Sequence, residues 1–503
     1  MLIDKGFGGF IVGYVTSEFD RNQVNLIPMA FEDLIDENNP VRVIDAFVEM
    51  LNMVELECTN AKPKSTGRPP YDPKDMLKLY VYGYFNGIRT SRKLERECKR
   101  NIELMWLLNN LTPDDKTISD FRKNNKKAVI SSFKQFSMLC QELNLIGKEI
   151  VAIDGSKFRA CNSRHRSYTK RKVEKMLAYY EESAKKYIEL IEQSDKEETE
   201  PAEIKNLNEK LEKAMQRINE LNELAAEVAE KGEISMTDPD ARHMSVSNNG
   251  TDISHNVQIA VDEKHHLIVA LDVTSNAQDN GQLTPMAEMV KDELGVEEIT
   301  ALADKGYYNW KCLKHCQENG IKAIVSKQTV TNSTGNPDYA KDKFKLDKEK
   351  DIYICPMGKK LKRVSKEGSK RRNYKCFECS KCINKEKCTT SDKGRKITPS
   401  ENEEIYQIAD KLFYENLDLY KLRQMIVEHP FGTIKRALGY TYFLTRGHEN
   451  VKNESYLHCL IYNLKRVINI MGIAPLLDIL KKKKQEMDAL VLCFFLKLRY
   501  LAS

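Results

Sequence analysis

The chain contains no apolar run long enough to cross a membrane. Its longest late run, Ala489 to Leu496, is far short of the roughly 20 residues that a span requires. Its N-terminus lacks a basic patch followed by a long apolar stretch and a small-residue cleavage site, so no secretory signal is expected. These two absences predict a cytoplasmic protein with no membrane partner, whose thirteen cysteines are mostly reduced. A strong net charge is also missing: 80 Lys and Arg against 74 Asp and Glu leave +6, an average that says little about partners.

What is there is length and local bias. At 503 residues, 41% apolar and 31% charged, the chain is a soluble globular sequence long enough for about two to four domains. Its positive charge is concentrated. Between Cys355 and Lys396, fifteen Lys and Arg stand against four acids, and between Arg89 and Lys134, twelve against six. Two basic regions on a nearly balanced chain suggest a polyanion footprint; the alternative is a solvated lysine-rich surface.

From Ile27 to about Ile146 the signals are helical. Asn39-Pro40 opens a helix with apolar residues at Val43, Ile44, Phe47, Val48 and Leu51. Gly67-Arg-Pro-Pro-Tyr-Asp-Pro73 reads as a loop, and Asp72 then caps a helix that Pro73 starts. Thr90-Ser91 opens a short basic helix carrying Arg92, and Asp115 to Lys123 opens another carrying Lys116 and Arg122. The series fits a helix-turn-helix-like module reading a major groove, or an ordinary helical domain with a solvated basic face.

A strand over Glu149 to Ile153 follows, ending at Asp154. An arm interrupts it: Leu207, Leu211, Ala214, Ile218, Leu221, Ala225 and Val228 recur at alternating spacings of four and three, the seam of a coiled coil. With the stripe from Val173 to Ile191 and a charged turn over Ser194 to Pro201, it predicts an antiparallel helical hairpin, a structural arm or dimer contact. Strand signals return at His255 to Val261 and Leu267 to Val273 around Asp262, a hairpin, and at Glu298 to Ala303, ending at Asp304. A helix from about Asn309 to Asn319 leads to a fifth strand, Lys322 to Ser326. The order predicts a mixed five-stranded sheet with flanking helices, an α/β arrangement.

Two strand ends thus carry acids, Asp154 and Asp304, and a later helical stretch carries Glu428. Three carboxylates meeting at one point form an oxygen-rich pocket for hard divalent cations, the equipment for phosphodiester chemistry. Asp279 reads as a loop residue supporting the site from behind, and Asp262 as a hairpin turn residue. His265-His266 reads as a turn pair, and His429 as a possible neighbour of the site. Tyr307, Tyr308 and Trp310 are either core or a stacking platform for a displaced base. Five cysteines within 34 residues, Cys355, Cys376, Cys379, Cys382 and Cys388, suggest structural zinc in a segment with little apolar content of its own. Four thiolates suffice: Cys355, Cys379, Cys382 and Cys388 are the expected set, with Cys376 as substitute. The alternative is reduced cysteines without metal. Lys370, Arg371 and Arg372 in the same segment are expected phosphate contacts that read no sequence.

Asp154-Gly-Ser, Asp304-Lys-Gly-Tyr and Tyr420-x-x-Arg423 with Glu428-His-Pro-Phe-Gly-Thr-Ile-Lys435 resemble the DDE transposases of bacterial insertion sequences, in the group with a Tyr-Arg-Glu-Lys signature. Six residues separate Glu428 from Lys435, as in the signature; four separate Arg423 from Glu428, where the signature has three. Gly67 to Pro73 and Lys116-Thr-Ile-Ser-Asp-Phe-Arg122 resemble the helical domain that precedes such catalytic domains. The resemblance spans roughly residues 15 to 470.

It implies an RNase H-like core, with Asp154 on the first strand, Asp304 on the fourth and Glu428 on the last helix. The expected organisation is a helical DNA-binding domain over 1–146 and a catalytic core over 147–167 and 233–327. A coiled-coil insertion fills 168–232, a basic zinc insertion 328–410, and the Glu helix with C-terminal helices 411–503. The resemblance implies binding to terminal inverted repeats, then cleavage and strand transfer into target DNA with two Mg²⁺ (or Mn²⁺) held by the three acids. Lys435 would hold a phosphate, Tyr420 and Arg423 would contact the terminal strand, and a homodimer would assemble on paired ends in the bacterial nucleoid. Two other classes remain: a metal-dependent nuclease without strand transfer, and a non-catalytic DNA-binding protein derived from a transposase.

Overall fold

The computed structural model describes residues 30–62, 69–162, 166–194, 201–246, 250–327, 332–347, 349–365, 372–398 and 402–501. Gly67 and Arg68, the turn over 195–200, and Lys370 and Arg371 lie outside them. Six helices come first: α1 (Pro40–Met50), α2 (Pro73–Phe85), α3 (Ser91–Cys98), α4 (Ile102–Leu107), α5 (Asp115–Asn124) and α6 (Lys126–Glu142). Side chains start most of them. Asn39 accepts from Val41 N (2.9 Å), Asp72 from Lys74 N (2.7 Å) and Asp114 from Thr117 N (2.8 Å), each satisfying an otherwise unpaired helix donor. The last cap stands one residue before the expected helix start. In α3, Leu94 and Cys98 are four apart and buried, so the arginines and lysines of that helix stay outside.

Strand β1 (Ile150–Arg159) is longer than expected and runs well past Asp154. Then comes the arm: β2 (Ser167–Thr169), α7 (Lys170–Ser194), α8 (Pro201–Lys231) and β3 (Glu233–Ser235), with β2 and β3 paired at its base. Val173, Leu221 and Val228 with Tyr168 form the arm's own apolar cluster, and Ala214 of the expected seam is also buried. The chain returns through β4 (Arg242–Ser245), β5 (Thr251–Asp262), β6 (Ile268–Thr274), α9 (Leu283–Leu294), β7 (Ile299–Ala303), α10 (Trp310–Glu318) and β8 (Ile321–Val325). The sheet has six strands rather than five, because β4 extends it. Its order is β4, β5, β1, β7, β8, with β6 also on β5. β1, β7 and β8 are parallel, while β5 is antiparallel to its neighbours.

The cysteine-rich segment forms a second sheet that the sequence did not announce: β9 (Lys345–Asp347), β10 (Ile352–Ile354), β11 (Lys360–Arg363), β12 (Tyr374–Cys376) and β13 (Lys396–Ile397), with the short α11 (Lys385–Cys388). Its core is small, built on Phe344, Tyr353, Leu361, Tyr374 and Ile397. Helices α12 (Glu403–Glu415), α13 (Leu417–Gly432), α14 (His448–Met471) and α15 (Ile473–Leu501) complete the chain. Among the described residues no single helix is long and apolar enough to cross a membrane.

One continuous apolar core joins the N-terminal helices, the six-stranded sheet and the C-terminal helices. At its centre is a buried charge. Glu454, fully buried on α14, accepts from Leu444 N (3.0 Å), Thr445 N (3.0 Å) and the Thr445 hydroxyl (2.7 Å). Arg89, at the end of the turn after α2, stands 3.8 Å away. Its guanidinium lies over the rings of Tyr440 and Tyr442 and donates to Tyr442 O (2.8 Å). Arg122, expected at a DNA face, instead turns inward: it donates to Tyr84 Oη (3.2 Å) and covers the Tyr80 ring. The N-terminal helices are therefore fixed to the rest of the molecule by cations buried against aromatic rings. Glu454→Gln should cost about 3–5 kcal/mol, because it leaves Arg89 beside a neutral amide in the core. A thermal or denaturant midpoint equal to that of the parent chain would show that the carboxylate carries none of this.

Candidate active site

β1 and β7 lie side by side and parallel, and their register ends at Ile153 opposite Ala303. The next residue on each is an aspartate, so the pairing alone sets Asp304, just past the end of β7, beside Asp154 in the middle of β1, where the two strands part. Burial pushes the Asp154 carboxyl up to about 6; Arg423 and the Gly155 N–H oppose the shift, and Asp304 and Asp279 add to it. Asp304 accepts from Gly306 N (2.7 Å) and so caps the single turn Lys305–Tyr307. Gly155 has a steric reason to be glycine. A Cβ there would collide with the side chains of Gln258, Asp279 and Asn256.

Helix α13 faces this point. Arg423 Nη1 stands 3.6 Å from Asp154 Oδ2, with its guanidinium over the Tyr420 ring, and Tyr420 packs edge-on against Phe413. Glu428 lies five residues on, about 140° around an ideal helix from Arg423. Its carboxylate is exposed and accepts from Gln424 Nε2 (2.7 Å). The helix runs through Pro430 and continues as a π-turn, Thr433–Ala437, which carries Lys435 back onto β1. Lys435 Nζ donates to Ser156 Oγ (2.6 Å) and Lys157 O (2.7 Å), and burial lowers it to about 8, with Lys157 adding to the shift.

The fold thus brings together Asp154, Asp304, Arg423, Tyr420 and Lys435. It does not bring Glu428 to the aspartates: among the described residues, no group of three or more His, Cys, Asp or Glu is gathered to hold a metal ion. His429 turns away to Tyr462 Oη (2.8 Å) and His266. His266 is a left-handed turn residue (φ 57°), and Asp262 accepts from Gly147, Lys148 and Lys264 N–H groups, as turn chemistry. Tyr307 is core, its hydroxyl given to Gln258; Tyr308 stacks on Tyr406 and donates to Asp410 (2.6 Å). Trp310 is half-buried, with Lys311 against its ring. Lys157, Asn256 and Gln258 were not singled out from the sequence. The available signal was the pair of amides at alternate positions, Asn256 and Gln258, where the strand turns from polar to apolar.

Farther from this pocket, Arg92 is 88% exposed and ion-paired with Asp115 (3.3 Å), and Lys116 and Arg372 are exposed. All five cysteines of the second sheet line one cavity of about 20 Å³ together with Tyr339, Phe344 and Met357. Cys355 Sγ accepts from Lys359 N (3.2 Å) and Cys379 Sγ from Arg395 N (3.3 Å).

Two sequence families match the chain. A transposase domain family matches residues 29–124, the helices from α1 to α5. A transposase DDE domain family matches residues 354–468, from the cysteine-rich sheet through α13 and most of α14. The second match contains Tyr420, Arg423, Glu428 and Lys435; Asp154 and Asp304 precede it. No curated protein and no solved structure matches the chain. A transposase domain at the head of the chain and a DDE domain around Glu428, with two aspartates side by side on β1 and β7, support a DDE transposase of an insertion sequence.

Proposed function

We propose that this transposase binds the terminal inverted repeats of its element and catalyses metal-dependent cleavage and strand transfer, working as a dimer on paired ends. The observation that carries the reading is the parallel register of β1 and β7, which sets Asp154 beside Asp304 in a pocket open to α13. The reading takes the mixed sheet as RNase H-like. Both aspartates offer oxygen, the donor that Mg²⁺ and Mn²⁺ take, and buried Asp154 is short of the positive charge that such an ion supplies. Asp154 and Asp304 would hold the ions, and Glu428, exposed on the facing helix, is the third carboxylate of the set. When bound, two such ions supply Lewis acidity for an in-line displacement at phosphorus.

The chain's own residues do the rest. Arg423, fixed over Tyr420, brings positive charge to Asp154 and faces the terminal strand. Lys435, held against β1 through Ser156, places an ammonium group beside the strand of Asp154, where it neutralises phosphate. Arg92 and Lys116 present charge on the N-terminal helices to the repeat, and Lys370, Arg371 and Arg372 present it to flanking phosphates. In the second sheet, zinc held by Cys355, Cys379, Cys382 and Cys388, with Cys376 as substitute, would supply the stability that its few apolar residues do not. The five cysteines line one small cavity, but among the described residues no three of them are placed to hold a metal ion, so the zinc reading rests on their number and spacing in the sequence.

Asp154→Asn, Asp304→Asn and Glu428→Gln should each abolish Mg²⁺-dependent cleavage while leaving binding to the element's ends intact, measured on paired end fragments. A variant that cleaves normally removes that residue from the set, and cleavage without strand transfer by the parent chain favours a nuclease. Elemental analysis of protein purified without chelator should find about one Zn²⁺ per chain; finding none would remove the zinc reading. Replacing Arg92 and Lys116 by Ala should reduce the preference for the repeat over random DNA. Replacing Lys370, Arg371 and Arg372 should weaken both equally and flatten the salt dependence. The opposite pattern in a competition assay would exchange the two assignments.

A further inference from the structure

Behind the two aspartates lies a polar network centred on Asp279, the loop residue that the sequence places behind the site. Asp279 sits in the loop between β6 and α9. Its Oδ1 accepts from three donors: Asn256 Nδ2 (2.7 Å), Gln258 Nε2 (2.7 Å) and Lys157 Nζ (3.1 Å). The β1–β5 register places Gln258 opposite Gly155 and Asn256 opposite Lys157, so these side chains share one face of the sheet. By strand alternation that is the face opposite Asp154's. Gln258 also accepts from the Tyr307 hydroxyl, which is three residues past Asp304. Asn256 donates in addition to Asn276 O (3.1 Å), which ties the loop carrying Asp279 to β5.

Two members of the network are attached to the backbone that follows the two aspartates. Lys157 and Gly155 follow Asp154, and Tyr307 follows Asp304. Asp279 joins them through the space that the missing Cβ of Gly155 leaves open, and its own Cβ comes within 3.8 Å of where a Cβ on Gly306 would stand. Lys157 is only 15% exposed, and Asp279 is the one carboxylate among the described residues with which it forms an ion pair.

We propose that Asp279 is a positioning residue of the metal pocket. Its single oxygen gathers Lys157 from the Asp154 strand and, through Gln258 and Tyr307, the turn that follows Asp304, so that the two aspartates are held at one fixed separation. Partners standing behind metal ligands in this way change metal affinity by roughly 10–100-fold when removed. The proposal rests on Asp154 and Asp304 being the metal-binding aspartates, and its test is therefore made on metal binding rather than on DNA cleavage.

Mn²⁺ alone is titrated into the full-length protein, and free Mn²⁺ is followed by electron paramagnetic resonance. Asp154→Asn identifies which binding belongs to the pocket. Asp279→Asn, which keeps the shape and removes the charge, should weaken that binding about tenfold or more. Tyr307→Phe, which removes one hydroxyl from the far end of the network, should weaken it in the same direction with the thermal midpoint held. A role confined to folding would lower the midpoint of both variants and leave Mn²⁺ affinity unchanged. Unchanged affinity in Tyr307→Phe, or in a folded Asp279→Asn, overturns the proposal. Should the parent chain bind Mn²⁺ through Asp154 yet transfer no strands, the transposition chemistry fails while the role of Asp279 is still decided by its own titration.

Discussion

The parallel pairing of β1 with β7 imposes the problem that the rest of the molecule answers. It sets two carboxylates side by side at the inner edge of a core, and burial there makes Asp154 costly to ionise. Positive groups come toward that point from two directions, Arg423 from α13 and Lys435 from the π-turn that carries the chain past Pro430. Lys157 instead pairs with Asp279 on the opposite face of the sheet. Glycine at 155 and a tight turn at 306 let polar side chains approach more closely than a substituted residue would allow. The pocket is poor in countercharge on one side and rich in cations on its flank. That asymmetry is what the proposed chemistry, with a divalent ion and a phosphate at one surface, would call for.

The N-terminal helices are held in the same way, by cations placed against rings. Arg89 and Arg122 both belong to the run that reads as a basic DNA-binding region, yet each turns its guanidinium into the core, toward Tyr440 and Tyr442 or toward Tyr80 and Tyr84. Glu454 supplies the charge that makes this burial tolerable. The helices that present Arg92 and Lys116 are thus packed on the sheet through a shared core and do not swing on a linker. Under the proposed function, the geometry they impose on DNA is imposed relative to Asp154 and Asp304.

Much of this was legible in the residues. The cap residues at Asn39 and Asp72 marked helix starts because an Asx side chain satisfies a helix donor locally. The hairpin, the arm and the strand ending before Asp304 followed from period and turn chemistry, whereas β1 runs on past Asp154 because β5 continues to pair with it as far as Arg159. The second sheet was not legible: strands such as Tyr374–Cys376 and Lys396–Ile397 are too short for any alternation to register, and their pairing is between distant segments. Strand β4 escaped for the same reason. Arg122 was misplaced because charge in a sequence does not say which way a long, amphipathic side chain will turn. Glu428 is the complementary case. Its position in a signature is plain, but side-chain direction on a helix depends on rotation about an axis, and here Arg423 takes the place facing Asp154.

The arm has a consequence for how the chain folds. Ile153 and Ala260, partners across the β1–β5 ladder, are more than a hundred residues apart, and closing so long a loop slows folding. The two arm helices need only each other to form, and their pairing is local. Once they have zipped and Thr169 has met Glu233 at the base, the effective loop shrinks to about forty residues. The insertion that separates the two central strands in sequence is thereby what returns them to one another in time.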